Sequence, residues 1–132
     1  MLKIEHIGIA VRDLAEANKR YEVLLNAPPY KIETVENEGV TTSFFEVGAS
    51  KIELLEANNS ESPIAKFIEK RGEGIHHIAY AVNDIHSEIE RMVNEGFELI
   101  GAGPKEGADN KLVCFFHPKT MNGVLTELCQ DR

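Results

Sequence analysis

The stretch HIGIAVRDL at residues 6–14 is written again as HIAYAVNDI at residues 77–85. Self-similarity at a fixed spacing marks a repeated structural unit, so whatever one copy folds into the other must match. A shift of 71 residues places His6 on His77, Ile7 on Ile78, Ala10 on Ala81, Val11 on Val82 and Asp13 on Asp84, and later Phe44 and Phe45 on Phe115 and Phe116. Beyond the phenylalanines the second copy gains three residues, within Pro118 to Gly123, where a turn accepts extra length. Glu53 of KIELLE then falls on Glu127 of VLTELCQ.

Each copy reads β-α-β-β-β. In the first, residues 2–11 alternate as a strand. Asp13 followed by Glu16 resembles a capping box, opening a helix with an apolar face of Leu14, Ala17, Tyr21, Leu24 and Leu25. Pro28 and Pro29 bar its continuation. Strands follow near 30–35, 40–47 and 50–56, separated by Gly39 and Gly48. The second copy predicts a strand over 75–82, a helix from Asp84 using Ile85, Ile89, Met92 and Val93 and stopping at Gly96, then strands near 97–101, 111–117 and 123–129. A helix outside the repeat joins the copies: Ser62 as N-cap, Pro63 in the first helical position, Ile64, Phe67 and Ile68 as its apolar face, Gly72 as its end.

These elements predict an α+β fold: one domain over 1–132, with module one at about 1–57, the connecting helix at about 62–72 and module two at about 74–132. Neither module alone buries both its helix and its sheet face. Joined, they make a curved eight-stranded mixed sheet around a metal-binding cleft, with the helices outside.

Composition narrows the partners. The net charge of −8, without a Lys/Arg cluster, argues against nucleic acid. No apolar run reaches the roughly 20 residues a bilayer requires, and the N-terminus enters a strand pattern without a secretory leader, so a cytoplasmic protein without membrane contact is expected. Cys114 and Cys129 lie in apolar strand runs without C-x-x-C spacing and are expected to be buried free thiols.

The repeat also explains its histidines. Two modules about a local two-fold axis put His6 and His77 at equivalent places on their first strands, and Glu53 and Glu127 at equivalent places on their last. Taken singly, a strand His or Glu is usually an ordinary polar residue; four related by one repeat form a nitrogen and oxygen set suited to Co²⁺, Ni²⁺, Mn²⁺, Zn²⁺ or Fe²⁺. Small residues, Gly8 and Ala79, follow two positions after each histidine on the same strand face. The carboxylates sit in apolar runs, where a buried charge needs a cation or hydrogen bonds. His76, His86 and His117 do not recur; His86 is expected to face solvent, and His117, opening a turn, is a candidate substrate contact.

With these residues in place, the chain resembles the vicinal oxygen chelate superfamily, whose paired β-α-β-β-β modules bind a divalent metal. Within it, EHIGIAV, KIELLEANNSESPIAKFIEKRGEGIHHIAY and FFHPKTMNGVLTELCQ resemble the methylmalonyl-CoA epimerases in order and spacing. The resemblance implies metal ligation by His6, His77 and Glu127, with Glu53 at a position held by Gln or Glu in that family. It further implies an acyl-CoA substrate and a homodimer. Some relatives place another acidic residue on the strand equivalent to 40–46; Thr41, Thr42 and Ser43 occupy that neighbourhood here, and Glu46 is shifted.

Epimerisation inverts the carbon between a thioester and a carboxylate, so a proton leaves one face and returns to the other. Glu53 and Glu127, on opposite sides of a planar enolate, are the expected acid/base pair. Lys119, with the segment 103–111, is the expected contact for phosphates or carboxylate. A glyoxalase I-like isomerase, a metal-free small-molecule-binding or resistance protein and a ring-cleaving iron dioxygenase are the competing members of the same superfamily.

Overall fold

Alternation of apolar and polar residues, broken by glycines and prolines, produces the expected order of elements in the computed structural model, which describes residues 1–132. The strands are β1 (Lys3–Ala10), β2 (Lys31–Val35), β3 (Val40–Val47), β4 (Ser50–Ala57), β5 (Gly74–Ala81), β6 (Leu99–Glu106), β7 (Lys111–Phe116) and β8 (Thr126–Asp131). The helices are α1 (Leu14–Leu25), α2 (Pro63–Arg71) and α3 (Ile85–Asn94). The fold is α+β, with strands ordered β2-β3-β4-β1 in one half and β5-β8-β7-β6 in the other. That order states the duplication: 2-3-4-1 is matched by 6-7-8-5 read from the opposite edge. No helix is long and apolar enough to cross a membrane.

Two compact units divide the chain, residues 6–76 in one and residues 1–5 with 77–132 in the other. In the unit of residues 6–76, β1 runs parallel to β4, and β2, β3 and β4 are antiparallel neighbours. Ile9, Ile52, Leu54 and Phe45 pack against Val11 and the Leu14, Ala17, Tyr21 and Leu25 side of α1. On the alternate face of the same strands, Ala10, Val40 and Leu55 pack against Ile64, Phe67 and Ile68 of α2. Gly39, with φ +66°, fits the turn into β3 so tightly that a Cβ would lie 3.2 Å from the Ser62 Cβ.

The other unit repeats the plan: β5 parallel to β8, then β7 and β6 antiparallel. Val82, Ile85, Met92, Cys114, Phe116 and Leu128 form its core against α3. Cys114 and Cys129 are buried free thiols, as expected. Burial pushes the Cys114 thiol up to about 12, with the nearby Glu127 charge adding to the effect.

Helix starts follow the sequence signals. Asp13 accepts from the Glu16 N–H, Ser62 from the Ile64 N–H and Asp84 from the Ser87 N–H. The two Ser87 hydrogen bonds, from its backbone N–H and its hydroxyl, hold the Asp84 carboxyl below the usual range. A second cap is duplicated without a local signal: the Leu14 N–H donates to Glu56 Oε2 at 2.9 Å, and the Ile85 N–H to Gln130 Oε1 at 2.7 Å.

Four expectations need correction. Leu24 is 71% exposed and Val93 46% exposed, so neither lies on its helix's buried face; the helices turn Leu25 and Met92 inward instead. β6 begins at Leu99 rather than 97 and runs to Glu106, past the expected end at 101. The four residues 101–104 are taken up as a bulge opposite Cys114, between the Ile100–Phe115 and Lys105–Val113 pairs. β8 starts at Thr126 rather than 123, because Asn122 and Gly123 hold positive φ in the turn.

Candidate metal-binding site

Parallel pairing decides where the histidines meet the carboxylates. In the unit of residues 6–76, Gly8 of β1 is beside Glu53 of β4, which puts His6 two residues away on the same face. His6 Nδ1 lies 3.0 Å from Glu53 Oε2, and the two residues are 4% and 6% exposed. The other unit reproduces the arrangement, with Ala79 of β5 beside Glu127 of β8. His77 Nε2 lies 3.1 Å from Glu127 Oε1, with both residues equally buried. Gly8 and Ala79 thus sit where the His–Glu contact crosses the strand pair.

Each pair has its own surroundings. Phe44 stands opposite Glu53 and Phe115 opposite Glu127, so the duplicated phenylalanines wall the duplicated carboxylates. The His77 ring meets Phe115 edge-on, centroids 5.8 Å apart. Glu127 Oε2 accepts a hydrogen bond from Cys129 Sγ at 2.8 Å, a contact that the sequence reading missed. The only hint was Cys129's position two residues on, on the same strand face.

Carboxylates buried in apolar walls need hydrogen bonds or a cation to offset their lost hydration; the imidazoles and the Cys129 thiol are polar partners of the first kind, and a bound cation would be the second. The donor set, imidazole nitrogen with carboxylate oxygen, matches what borderline divalent metals take. His6, His77 and Glu127 are buried and each offers a ligand atom of the kind a metal ion takes.

The remaining candidates lie elsewhere. His76 leaves the buried face of its strand and packs edge-on against Phe67, centroids 5.0 Å apart. His86 is exposed in the first turn of α3. His117 caps the short 3₁₀ turn Pro118–Thr120, its Nδ1 accepting from the Lys119 N–H at 3.1 Å. Lys119 Nζ lies 2.8 Å from Glu98 Oε1, a contact that holds the Glu98 carboxyl below its usual range. Gly103 to Glu106, part of the segment expected to contact phosphates or carboxylate, belong to β6.

Residues 5–115 match the family model of the glyoxalase/bleomycin resistance protein/dioxygenase superfamily. Over 132 residues the chain is 38% identical to the uncharacterized protein YqjC of Bacillus subtilis (strain 168), covering all of this chain and 94% of that one. Over 130 residues it is 42% identical to the ethylmalonyl-CoA/methylmalonyl-CoA epimerase of Cereibacter sphaeroides, covering 97% of each. Among solved structures, a Streptomyces coelicolor methylmalonyl-CoA epimerase variant in complex with 2-nitronate-propionyl-CoA is 31% identical, with a TM-score of 0.95 over 99% of this chain and 98% of that one.

Proposed function

This chain belongs to the glyoxalase/bleomycin resistance protein/dioxygenase superfamily, and from that premise we propose that it is a metal-dependent epimerase of 2-substituted malonyl-CoA thioesters, methylmalonyl-CoA foremost. The observation that carries the reading is the duplicated contact, His6 with Glu53 at 3.0 Å and His77 with Glu127 at 3.1 Å, buried in apolar walls. Full-length similarity to epimerases of this substrate class supports it.

In this reading His6, Glu53, His77 and Glu127 together hold one divalent cation, Co²⁺, Ni²⁺, Mn²⁺ or Zn²⁺. When bound, that cation supplies Lewis-acid stabilisation of the negative charge that develops on the substrate's oxygens. The chain's own work is to place the α-carbon between carboxylates. One of Glu53 and Glu127 takes the α-proton from one face, leaving a planar enolate. The other, which enters the cycle protonated, returns its proton to the opposite face, and exchange with solvent then restores the starting protonation of both carboxylates, so protons and charge balance over the cycle. Phe44 and Phe115, each opposite one carboxylate, keep water from reprotonating the enolate at random. His117 and Lys119 contact the substrate's anionic end, Lys119 exchanging Glu98 for it. The working assembly is a cytoplasmic homodimer.

Purified protein loaded with Co²⁺ and given one stereoisomer of methylmalonyl-CoA in D₂O should produce the other, with one deuterium at the α-carbon. Turnover of methylglyoxal with glutathione, and none of the thioester, would instead assign the site to glyoxalase chemistry.

A further inference from the structure

β3 carries a hydroxyl that the fold leaves without a partner. Thr42 is 1% exposed, and its Oγ1 meets no hydrogen-bond acceptor or donor. An unsatisfied buried hydroxyl is a cost to folding, and native chains bear few of them.

Its position gives the cost a purpose. Strand alternation puts Thr42 on the face of Val40 and Phe44, with Leu55 directly opposite and Glu53 opposite Phe44. Thr42 is therefore the diagonal cross-strand neighbour of Glu53, within reach of one small ligand group. Glu33 stands opposite it on β2. The second copy holds Val113 at the equivalent position, buried and nearly the same shape but without the hydroxyl. The chain bears the orphaned group in one copy only, on the side of Glu53. Ser43 Oγ, also unpartnered, belongs to the opposite face, where Phe45 and Leu54 pack against α1, and so provides an internal control.

We infer that the Thr42 hydroxyl is a ligand contact: it donates a hydrogen bond to a carboxylate oxygen of the bound malonyl thioester and so favours thioesters that carry a free carboxylate. The inference rests on the function proposed above. A neutral donor serves this face well, because it satisfies an anionic oxygen without adding a second buried charge beside Glu53. A site built to hydrogen-bond one substrate group discriminates against ligands that lack it.

Calorimetric titration of the Co²⁺-loaded protein with malonyl-CoA and with propionyl-CoA tests it. Thr42→Val should weaken malonyl-CoA binding about tenfold, as expected for one hydrogen bond to a charged group, and leave propionyl-CoA within about twofold. Thr42→Ser should bind like the wild type, Ser43→Ala should change neither thioester, and the Thr42→Val protein should melt no lower than the wild type. Unchanged malonyl-CoA binding in Thr42→Val, equal loss of both thioesters, or a Thr42→Val protein that melts well below the wild type would each overturn the inference while wild-type epimerisation still stands. A wild-type protein that neither binds malonyl-CoA nor epimerises methylmalonyl-CoA would overturn the proposed function along with it.

Discussion

His6 faces Glu53 through Nδ1, whereas His77 faces Glu127 through Nε2. The duplication copied residue types and backbone register, but the two rings present different nitrogens to their carboxylates. If both pairs serve one cation, each histidine is needed and neither substitutes for the other.

His6→Ala and His77→Ala should each reduce Co²⁺ affinity by more than the roughly 10–100-fold typical of losing an outer partner of a metal ligand. Cobalt visible absorption during titration reports the loss directly. Retention of wild-type affinity in either variant would remove that residue from the ligand set.

Glu53→Gln and Glu127→Gln separate proton transfer from metal holding. A carboxylate drawn to a cation is a weaker base. The carboxylate that takes the α-proton should, when changed to Gln, abolish deuterium entry at the α-carbon while leaving Co²⁺ bound. Undiminished exchange in either variant excludes that residue as the base.

The Cys114 thiol, raised to about 12 by burial, supplies a pH prediction. In the unfolded chain the thiol ionises near 9.0, so the unfolded state loses its proton first as pH rises. Stability from this group is complete below pH 9 and is lost between 9 and 12. Thermal melts should fall across that window, and Cys114→Ser should flatten the fall. At pH 8 a disulfide reagent should find neither cysteine in the folded protein and both after denaturation.

The duplicated caps invite a matched pair of substitutions. Glu56→Ala frees the Leu14 N–H and Gln130→Ala the Ile85 N–H. Each should cost about 1 kcal/mol, or roughly 3–5 °C in melting temperature for a chain of this size. A melt unchanged in both would show these contacts to be incidental.

Much of this was legible beforehand, because a duplication provides two readings of one unit. The first-strand histidines, last-strand glutamates, helix caps and connecting helix were all visible as spacing, and the fold places each where the spacing required. The misread positions share a cause: local pattern does not know its neighbours. Leu24 and Leu25 are adjacent in a helix and about 100° apart, and only packing against β3 and β4 decides that Leu25 turns inward. The strand expected over 97–101 stops at the glycines of GAGPKE, yet β7 supplies a pairing edge, and the glycines absorb a bulge that carries the strand on to Glu106. The thiol bond to Glu127 and the orphaned Thr42 hydroxyl depend on side-chain geometry across strands, which no single run of residues encodes.

Cation stoichiometry bears most directly on whether the two His–Glu pairs act as one site. Metal-free protein titrated with Co²⁺ should bind one equivalent per chain, and His6→Ala and His77→Ala should each abolish that single tight site. Two independent equivalents per chain, each removed by only one of the substitutions, would contradict a shared cation and the epimerase built on it.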